Sequence, residues 1–111
     1  MPVTPKVLIP AKQAENTDTT QYTAVNCKAV VDKFTATNTT ASAVTLTINI
    51  IPQGGSAQTS NIVMSARSIA PGETYLCPEV VGLTVDSNGF ISTIASSASA
   101  LTIFASGREV T

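Results

Sequence analysis

The side chains of this chain best suited to covalent or acid–base chemistry are the cysteines, the carboxylates and the lysines. Cys27 and Cys77 are potential nucleophiles, but the 111 residues include no histidine to activate a thiolate. The seven acidic residues include no close sequence pair of the kind that suggests shared proton chemistry. Most of them lie in or beside predicted turns, where a carboxylate is solvated. The sequence therefore predicts no catalytic residues and a protein that is not an enzyme.

Metal and phosphate sites are also not predicted. The two cysteines form no Cys-x-x-Cys motif, and no histidine accompanies them, which argues against zinc. The pair Gly54-Gly55 is not followed by the Gly-Lys-Ser/Thr of a phosphate-binding loop. Residues 86–89, DSNG, begin like a calcium loop, but no glutamate closes it at the required distance, so a hairpin turn is favoured. We expect no metal and no cofactor.

The charge balance bears on the partners of the protein. Charged residues make up 12% of the chain, about half the usual share of a soluble domain, and the net charge is −1. The six basic residues are scattered, so no basic patch is predicted to bind nucleic acid. A weakly charged surface rich in Thr, Ser and Ala favours a protein that is covered by neighbouring subunits.

Targeting signals and cysteine use bear on the compartment. The first twelve residues, MPVTPKVLIPAK, have too short an apolar run for a signal peptide, and prolines lie on both sides of it. No apolar stretch approaches the ~20 residues of a membrane span, so no membrane association is expected. For a chain made in a reducing cytoplasm, we expect Cys27 and Cys77 to be free thiols that form no required disulfide.

From residue 21 onward the pattern is that of short strands separated by turns. The clearest strand is predicted at 43–51, where apolar residues alternate with polar ones and Pro52 ends the run. Further strands are predicted at 22–26, 28–37 (with a bulge or break at 30–32), 61–69, 74–77, 83–85, 90–95 and 100–110. Residues 78–81 are compatible with one helical turn, and no amphipathic helix is predicted. This spacing predicts an all-β fold, a small antiparallel β-sandwich that is Ig-like or jelly-roll-like.

Period-two alternation also selects the core. The predicted core residues are Val44, Leu46, Ile48, Ile50, Ile62, Met64, Phe90, Ile94, Leu101 and Ile103. The tripeptide Ala-Ser-Ala occurs at 41–43 and again at 98–100, each time directly before an alternating apolar run. Both copies are interpreted as hairpin corners that lead into inward-facing strands.

Residues 1–20 differ from residues 21–111, which form the predicted sandwich domain. Three prolines interrupt the first ten residues around the short apolar strip 7–9, and a polar stretch follows. We predict an extended N-terminal arm or an edge strand, because proline is disfavoured in the middle of a sheet. As an arm, this segment would add a strand to a neighbouring subunit through Lys6, Val7, Leu8 and Ile9. The alternative is that the strip covers the domain's own core.

Two segments resemble small virion-associated structural proteins of tailed bacteriophages. They are FTATNTTASAVTLTINIIPQGGSAQTSNIVMSARSIAPGETYLCPEVVG at 34–82 and ALTIFASGREVT at 100–111. The resemblance spans about residues 34–111 and contains no catalytic motif. It implies a virion structural protein, with capsid decoration (cement), neck or collar, and tail as the possible positions.

The leading expectation is a decoration protein that binds and stabilises neighbouring capsid subunits. Its partners would be other virion proteins, with the major capsid protein first, and copies of itself. It would be made in the host cytoplasm and located in the virion. A neck, collar or tail component is the second hypothesis. A carbohydrate- or receptor-binding sandwich is the third.

Overall fold

A computed structural model describes residues 2–111, which fold almost entirely into antiparallel strands. A single 3-10 turn, Thr59–Asn61, is the only helical segment in this range. The strands are β1 (Val3–Gln13), β2 (Thr19–Thr23), β3 (Lys28–Asn38), β4 (Val44–Ile51), β5 (Ile62–Ile69), β6 (Thr74–Tyr75), β7 (Thr84–Val85), β8 (Phe90–Ala95) and β9 (Leu101–Val110).

Two sheets pack face to face around one core. The first sheet has the order β1-β9-β3-β6, with β7 also paired to β3, and the second has the order β2-β8-β4-β5. The predicted all-β sandwich is therefore confirmed. The bulge predicted at 30–32 is also present, since the register of β3 against β9 shifts between Val31 and Lys33.

The strand order is that of a jelly roll. β1 pairs with β9, β2 with β8, β3 with β6, and β4 with β5, which is the pairing of one long folded hairpin. The hairpin is then rolled up so that β9 also pairs with β3 and β8 with β4. In an Ig-like sandwich the first two strands share a sheet, whereas here β1 and β2 lie in different sheets. The jelly-roll alternative is therefore the observed one.

The two Ala-Ser-Ala segments lie side by side, and neither is a hairpin corner. Each one carries the chain from one sheet to the other, between β3 and β4 or between β8 and β9. The amide of Thr39 donates to the Ala100 carbonyl (2.9 Å), and the amide of Ser96 donates to the Thr45 carbonyl (3.0 Å). Because β3 pairs with β9 and β4 with β8, both crossings occur at the same end of the sandwich. The Ala-Ser-Ala tripeptide therefore occurs in two adjacent connections, each of which joins a strand of one sheet to a strand of the other.

The predicted core is correct on β9 and on the first five residues of β4, and it is wrong on β8. Val44, Leu46, Ile48, Met64, Leu101 and Ile103 are buried as predicted. Ile50 is only half-buried, although it packs against the core, and Ile62 is half-buried on the outside of the second sheet. On β8, Phe90 and Ile94 point outward, while Ile91, Thr93 and Ala95 point inward.

The error on β8 has a physical cause. The strand reads FISTIA and carries apolar residues on both faces, so alternation alone favours the face with the bulkier pair. In the folded protein Thr93 is acceptable in the core because the Gln21 amide donates to its hydroxyl at 2.9 Å. The outward Ile94 lies beside the 52–61 loop and lines a cleft with Ala57 and Thr59.

Conservative truncation tests the orientation of β8. Ile91→Val should lower the free energy of unfolding by about 1 kcal/mol, because a fully buried methylene is lost. Ile94→Val, the matched control on the opposite face, should cost less than about 0.5 kcal/mol. Urea unfolding of the two variants measures both values, and a larger loss for Ile94→Val would contradict the observed orientation.

The N-terminal segment is an edge strand of this same domain. β1 pairs with β9 from Val3 opposite Val110 to Gln13 opposite Thr102, with two register shifts. Leu8 and Ile9 are buried in the core, and β2 begins at Thr19, before the expected boundary at residue 21. Prolines are accommodated in β1 because one side of an edge strand makes no ladder hydrogen bonds. A free arm at 2–20 is therefore not observed.

Candidate docking surface

The two cysteines are the potential nucleophiles of the chain. Both cysteines are free thiols and buried. Burial raises the pKa of Cys77 to about 12 and also raises the pKa of Cys27, so neither is a ready thiolate near neutral pH. No group of three or more His, Cys, Asp or Glu side chains among residues 2–111 is arranged to hold a metal ion.

A polar cluster at one end of the sandwich fastens the first two strands to the last. The Glu109 carboxylate on β9 accepts a hydrogen bond from the Tyr22 hydroxyl (2.5 Å) and one from Lys6 Nζ (3.2 Å). These contacts lower the pKa of Glu109, with the Tyr22 hydrogen bond as the largest cause. Burial, followed by the carboxylate, raises the pKa of Tyr22. Lys6 is therefore engaged within its own molecule.

This cluster gives the stability a pH dependence. The folded-state pKa of Glu109 lies below its ordinary value of 4.5, so its contribution is present above that pH and is lost as the pH falls through the folded pKa. Glu109→Gln should therefore be less stable than the wild type at pH 7, and the difference should shrink by about pH 3. Urea midpoints at both pH values measure this, with Asp86→Asn in an exposed turn as the control. A difference that does not change with pH would contradict the assignment.

The solvent-facing side of the first sheet, here called the outer face, is broad and poorly charged. Val3 and Val7 on β1 are 51% and 46% exposed. Val30 and Phe104 are half-buried on this side and do not pack against the core. The register places three rows across the face, which are Val3-Val110-Lys28, Pro5-Arg108-Val30 and Val7-Ser106-Lys33. No element of residues 2–111 forms a layer over it.

A notch extends this face beside the bulge of β3. Leu76 and Val81 are 55% and 42% exposed, and with Pro78, Asp32 and Lys33 they line a cavity of about 310 Å³. The Asp32 carboxylate is held by Arg108, whose Nε and Nη2 each donate at 2.9 Å. The one acid at the notch is therefore already neutralised by a cation of the same face. We call the outer face and the notch together the docking surface.

The four residues predicted to bind a partner have different environments. Leu8 and Ile9 are buried in the protein's own core and are not available to a neighbour. Lys6 is bound to Glu109, and only Val7 lies on the docking surface. Sequence reasoning missed Leu76, Pro78 and Val81 because their segment was assigned to a strand end and a helical turn. The sequence does contain a signal for these residues. Leu76 and Val81 lie on either side of Pro78, in a segment too short to bury two large apolar side chains.

The edge strands β1, β5, β6 and β7 have features that oppose the addition of a further strand. β1 carries Pro5 and Pro10, and β6 and β7 have two residues each. β5 bends at Ala66, which has a positive φ of 43° and whose amide donates to the Thr47 hydroxyl instead of continuing the ladder. Prolines, bulges and short strands are the features by which natural sheets prevent edge pairing. Contacts with other proteins are therefore expected on the faces of the sandwich.

A second, more polar cleft lies on the outside of the second sheet. Its volume is about 320 Å³, and its lining combines polar and apolar side chains: Asp18, Thr47, Asn49, Ala57, Gln58, Thr59, Ile62 and Ile94. The buried Asn49 amide donates to the Gln58 carbonyl (3.0 Å) and to Asn61 Oδ1 (2.6 Å). This network holds the 52–61 loop in place as one wall of the cleft.

Comparison with known proteins yields no match, whether to a family model, to a curated protein or to a solved structure. In residues 2–111 there is also no helix of the length and apolarity that crossing a membrane requires.

Proposed function

We propose that this protein is a structural component of a tailed-bacteriophage particle and binds other virion subunits through the docking surface. The observation that carries the proposal is an uncovered sheet face with large exposed apolar side chains and a neutralised acid. Exposed apolar patches of this kind mark protein interaction sites. The resemblance of residues 34–111 to virion-associated proteins and the low overall charge also support it.

Capsid decoration is the position that this shape favours. The molecule measures 45 × 26 × 19 Å and is therefore elongated. An uncovered sheet face can lie across neighbouring subunits of a shell and stabilise them, since the stabilisation scales with the apolar area that is buried. A neck, collar or tail position is the alternative within the same class.

Labelling of particles tests the proposal. Gold-labelled antibody against the protein, viewed by electron microscopy on purified particles of the phage that encodes it, should decorate the shell. A label confined to the neck or tail would contradict decoration but retain the virion role. Particles without label, together with no copies detected by mass spectrometry, would overturn the proposal.

Surface variants then test the docking surface itself. Leu76→Asp and Val81→Asp should reduce attachment to particles that lack the protein at least tenfold, because each places a charge in an apolar contact. Val25→Asp is the matched control, since Val25 is 65% exposed in the turn between β2 and β3. Equal attachment by all three variants would show that the docking surface is not the surface that binds the particle.

A saccharide-binding role is the second candidate, and the polar cleft favours it. The cleft lining combines the hydrogen-bonding groups of Asp18, Thr47 and Thr59 with the apolar Ile62 and Ile94, and a sugar ring offers both polar and apolar surface. The stacking aromatics common in such sites are missing, because the chain has no tryptophan and Tyr22 is buried. A glycan array probed with the wild type and with Asp18→Ala tests it. Binding that Asp18→Ala abolishes would establish this role.

A further inference from the structure

Two lysines of the docking surface, Lys28 and Lys33, have no acidic partner among residues 2–111. Both lie on β3, are exposed, and take part in none of the ion pairs in this range. Those pairs are Lys6–Glu109, Lys12–Glu15 and Arg108–Asp32. The other two lysines of the chain are therefore neutralised within the molecule, whereas Lys28 and Lys33 are not.

The charges of the chain are divided unequally between the docking surface and the rest of the molecule. The surface carries three cations and one anion, which are Lys28, Lys33, Arg108 and Asp32. Its charge is therefore +2, whereas the other nine charged residues, three basic and six acidic, sum to −3. A protein with a net charge of −1 thus presents one positive face.

The acid in the loop that forms the notch, Glu79, does not offset this charge. Its side chain does not line the notch, and it accepts a hydrogen bond from the Tyr75 hydroxyl at 2.8 Å. The Tyr75 ring in turn lies against the guanidinium group of Arg67, which belongs to β5 in the other sheet. Glu79 is therefore held toward the margin between the two sheets.

Lys33 lies in the interior of the docking surface. It ends the row Val7-Ser106-Lys33 of the outer face, and it also lines the notch beside Leu76. A partner that covers both parts of the surface therefore removes the Lys33 ammonium group from water. Burial of an unpaired ammonium group is costly, and a carboxylate of the partner offsets that cost.

Lys28 provides a second charged point in the same contact. It ends the row that begins at Val3, and it lies about 15 Å from Lys33 along the strand at ~3.3 Å per residue. The apolar Val30 lies between the two lysines. Opposite charges at two separate points determine the orientation in which a partner docks. The complementary surface is therefore one with two acidic groups at this spacing and apolar side chains between them.

We infer that the particle surface to which this protein docks is acidic, with carboxylates that pair with Lys28 and Lys33 around an apolar centre. This inference deepens the proposed function and rests on it, since it names the chemistry of the partner at the docking surface. Nucleic acid fits less well, because two unpaired cations provide few phosphate contacts and Asp32 lies on the same surface.

Binding of the full chain to purified particles that lack it, at about 0.1 M and about 1 M NaCl, tests the inference. The Debye length falls from about 10 Å to about 3 Å between these concentrations, so wild-type binding should weaken about fivefold or more. Lys33→Met keeps the apolar stem and removes the charge. It should bind about fivefold more weakly than the wild type at the lower salt concentration and depend less on salt.

Lys12→Met is the matched control, because the Lys12 charge is already paired with Glu15. It should bind like the wild type at both salt concentrations. The double variant Lys28→Met/Lys33→Met should lose about tenfold or more in binding and nearly all of the salt dependence. Circular dichroism checks that all variants are folded, and a change in folding alone would not remove the salt dependence.

Three results would contradict an acidic partner. They are wild-type binding that is equal at both salt concentrations, Lys33→Met binding as tightly as the wild type or more tightly, and binding that nuclease treatment of the particles abolishes. The first two indicate an apolar partner surface, and the third indicates nucleic acid. In each case the wild type still attaches to the particle, so the virion role is retained. A wild type that does not attach at all refutes the virion role and this inference together.

Discussion

Deletion of residues 2–12 is expected to unfold the whole domain. The deletion removes nearly all of β1, its pairing with β9, and the fully or almost fully buried side chains of Leu8 and Ile9. Truncation of a single buried Leu or Ile to Ala typically costs 2–5 kcal/mol, and a domain of this size has roughly 5–15 kcal/mol in total. Loss of both side chains together with the strand should therefore exceed the stability available.

Circular dichroism and thermal unfolding of the truncated chain measure this result. We expect no cooperative transition and no native β spectrum. A truncated protein with the melting temperature of the intact chain would instead support the free-arm hypothesis. Two neighbouring substitutions provide the control within the strand. Leu8→Ala should cost about 2–5 kcal/mol, whereas Val7→Ala, at a half-exposed position, should cost less than about 0.5 kcal/mol.

Gly107→Ala is expected to be the most destabilising single-methyl change in the protein. Gly107 lies in the middle of β9, between Lys6 on β1 and Val31 on β3, at the point where β3 bulges. An added Cβ would overlap the Val30 carbonyl oxygen and lie 3.0 Å from Leu8 Cδ1. Overpacking usually costs 1–3 kcal/mol, but here the overlapping atom is backbone and cannot rotate away. We expect a loss of about 4 kcal/mol or more.

Gly72→Ala is the matched control for this substitution. Gly72 lies in the turn before β6 with a φ of +75°, and no atom lies within 4 Å of a Cβ built there. Its cost should come from backbone conformation alone, about 1 kcal/mol. Urea unfolding of both variants measures the difference. Equal losses would show that β9 can move away from β3 at little cost.

Much of the fold could be predicted from local sequence. Alternation identified the buried face of β9 and of β4 as far as Ile48, because a strand that is polar on one side has only one way to bury the other. A turn at 86–89 was predicted from its Asp-Ser-Asn-Gly sequence, whose φ preferences act within a few residues, although it joins β7 to a strand of the other sheet and is not the predicted hairpin. The bulge of β3 was also predicted, since the alternation slips at Val30 and Val31. These features are determined by the chemistry of neighbouring residues.

The tertiary structure decided the features that depend on distant partners. β8 carries apolar residues on both faces, and its inward face follows from pairing with β4 and from the Gln21 contact to Thr93. β1 is an edge strand because it pairs with β9, which lies about a hundred residues later in the chain.

The docking surface could likewise not be predicted from the sequence. Val7, Arg108 and Leu76 come from three separate segments and meet on one side only after the long hairpin has rolled up. Pairing between segments far apart in the chain is determined by the global packing of both sheets, which no local pattern contains. The sequence by itself therefore determined the class of fold and its turns. The jelly-roll order, the place of the N-terminal strand and the exposed face were determined only by the long-range pairing.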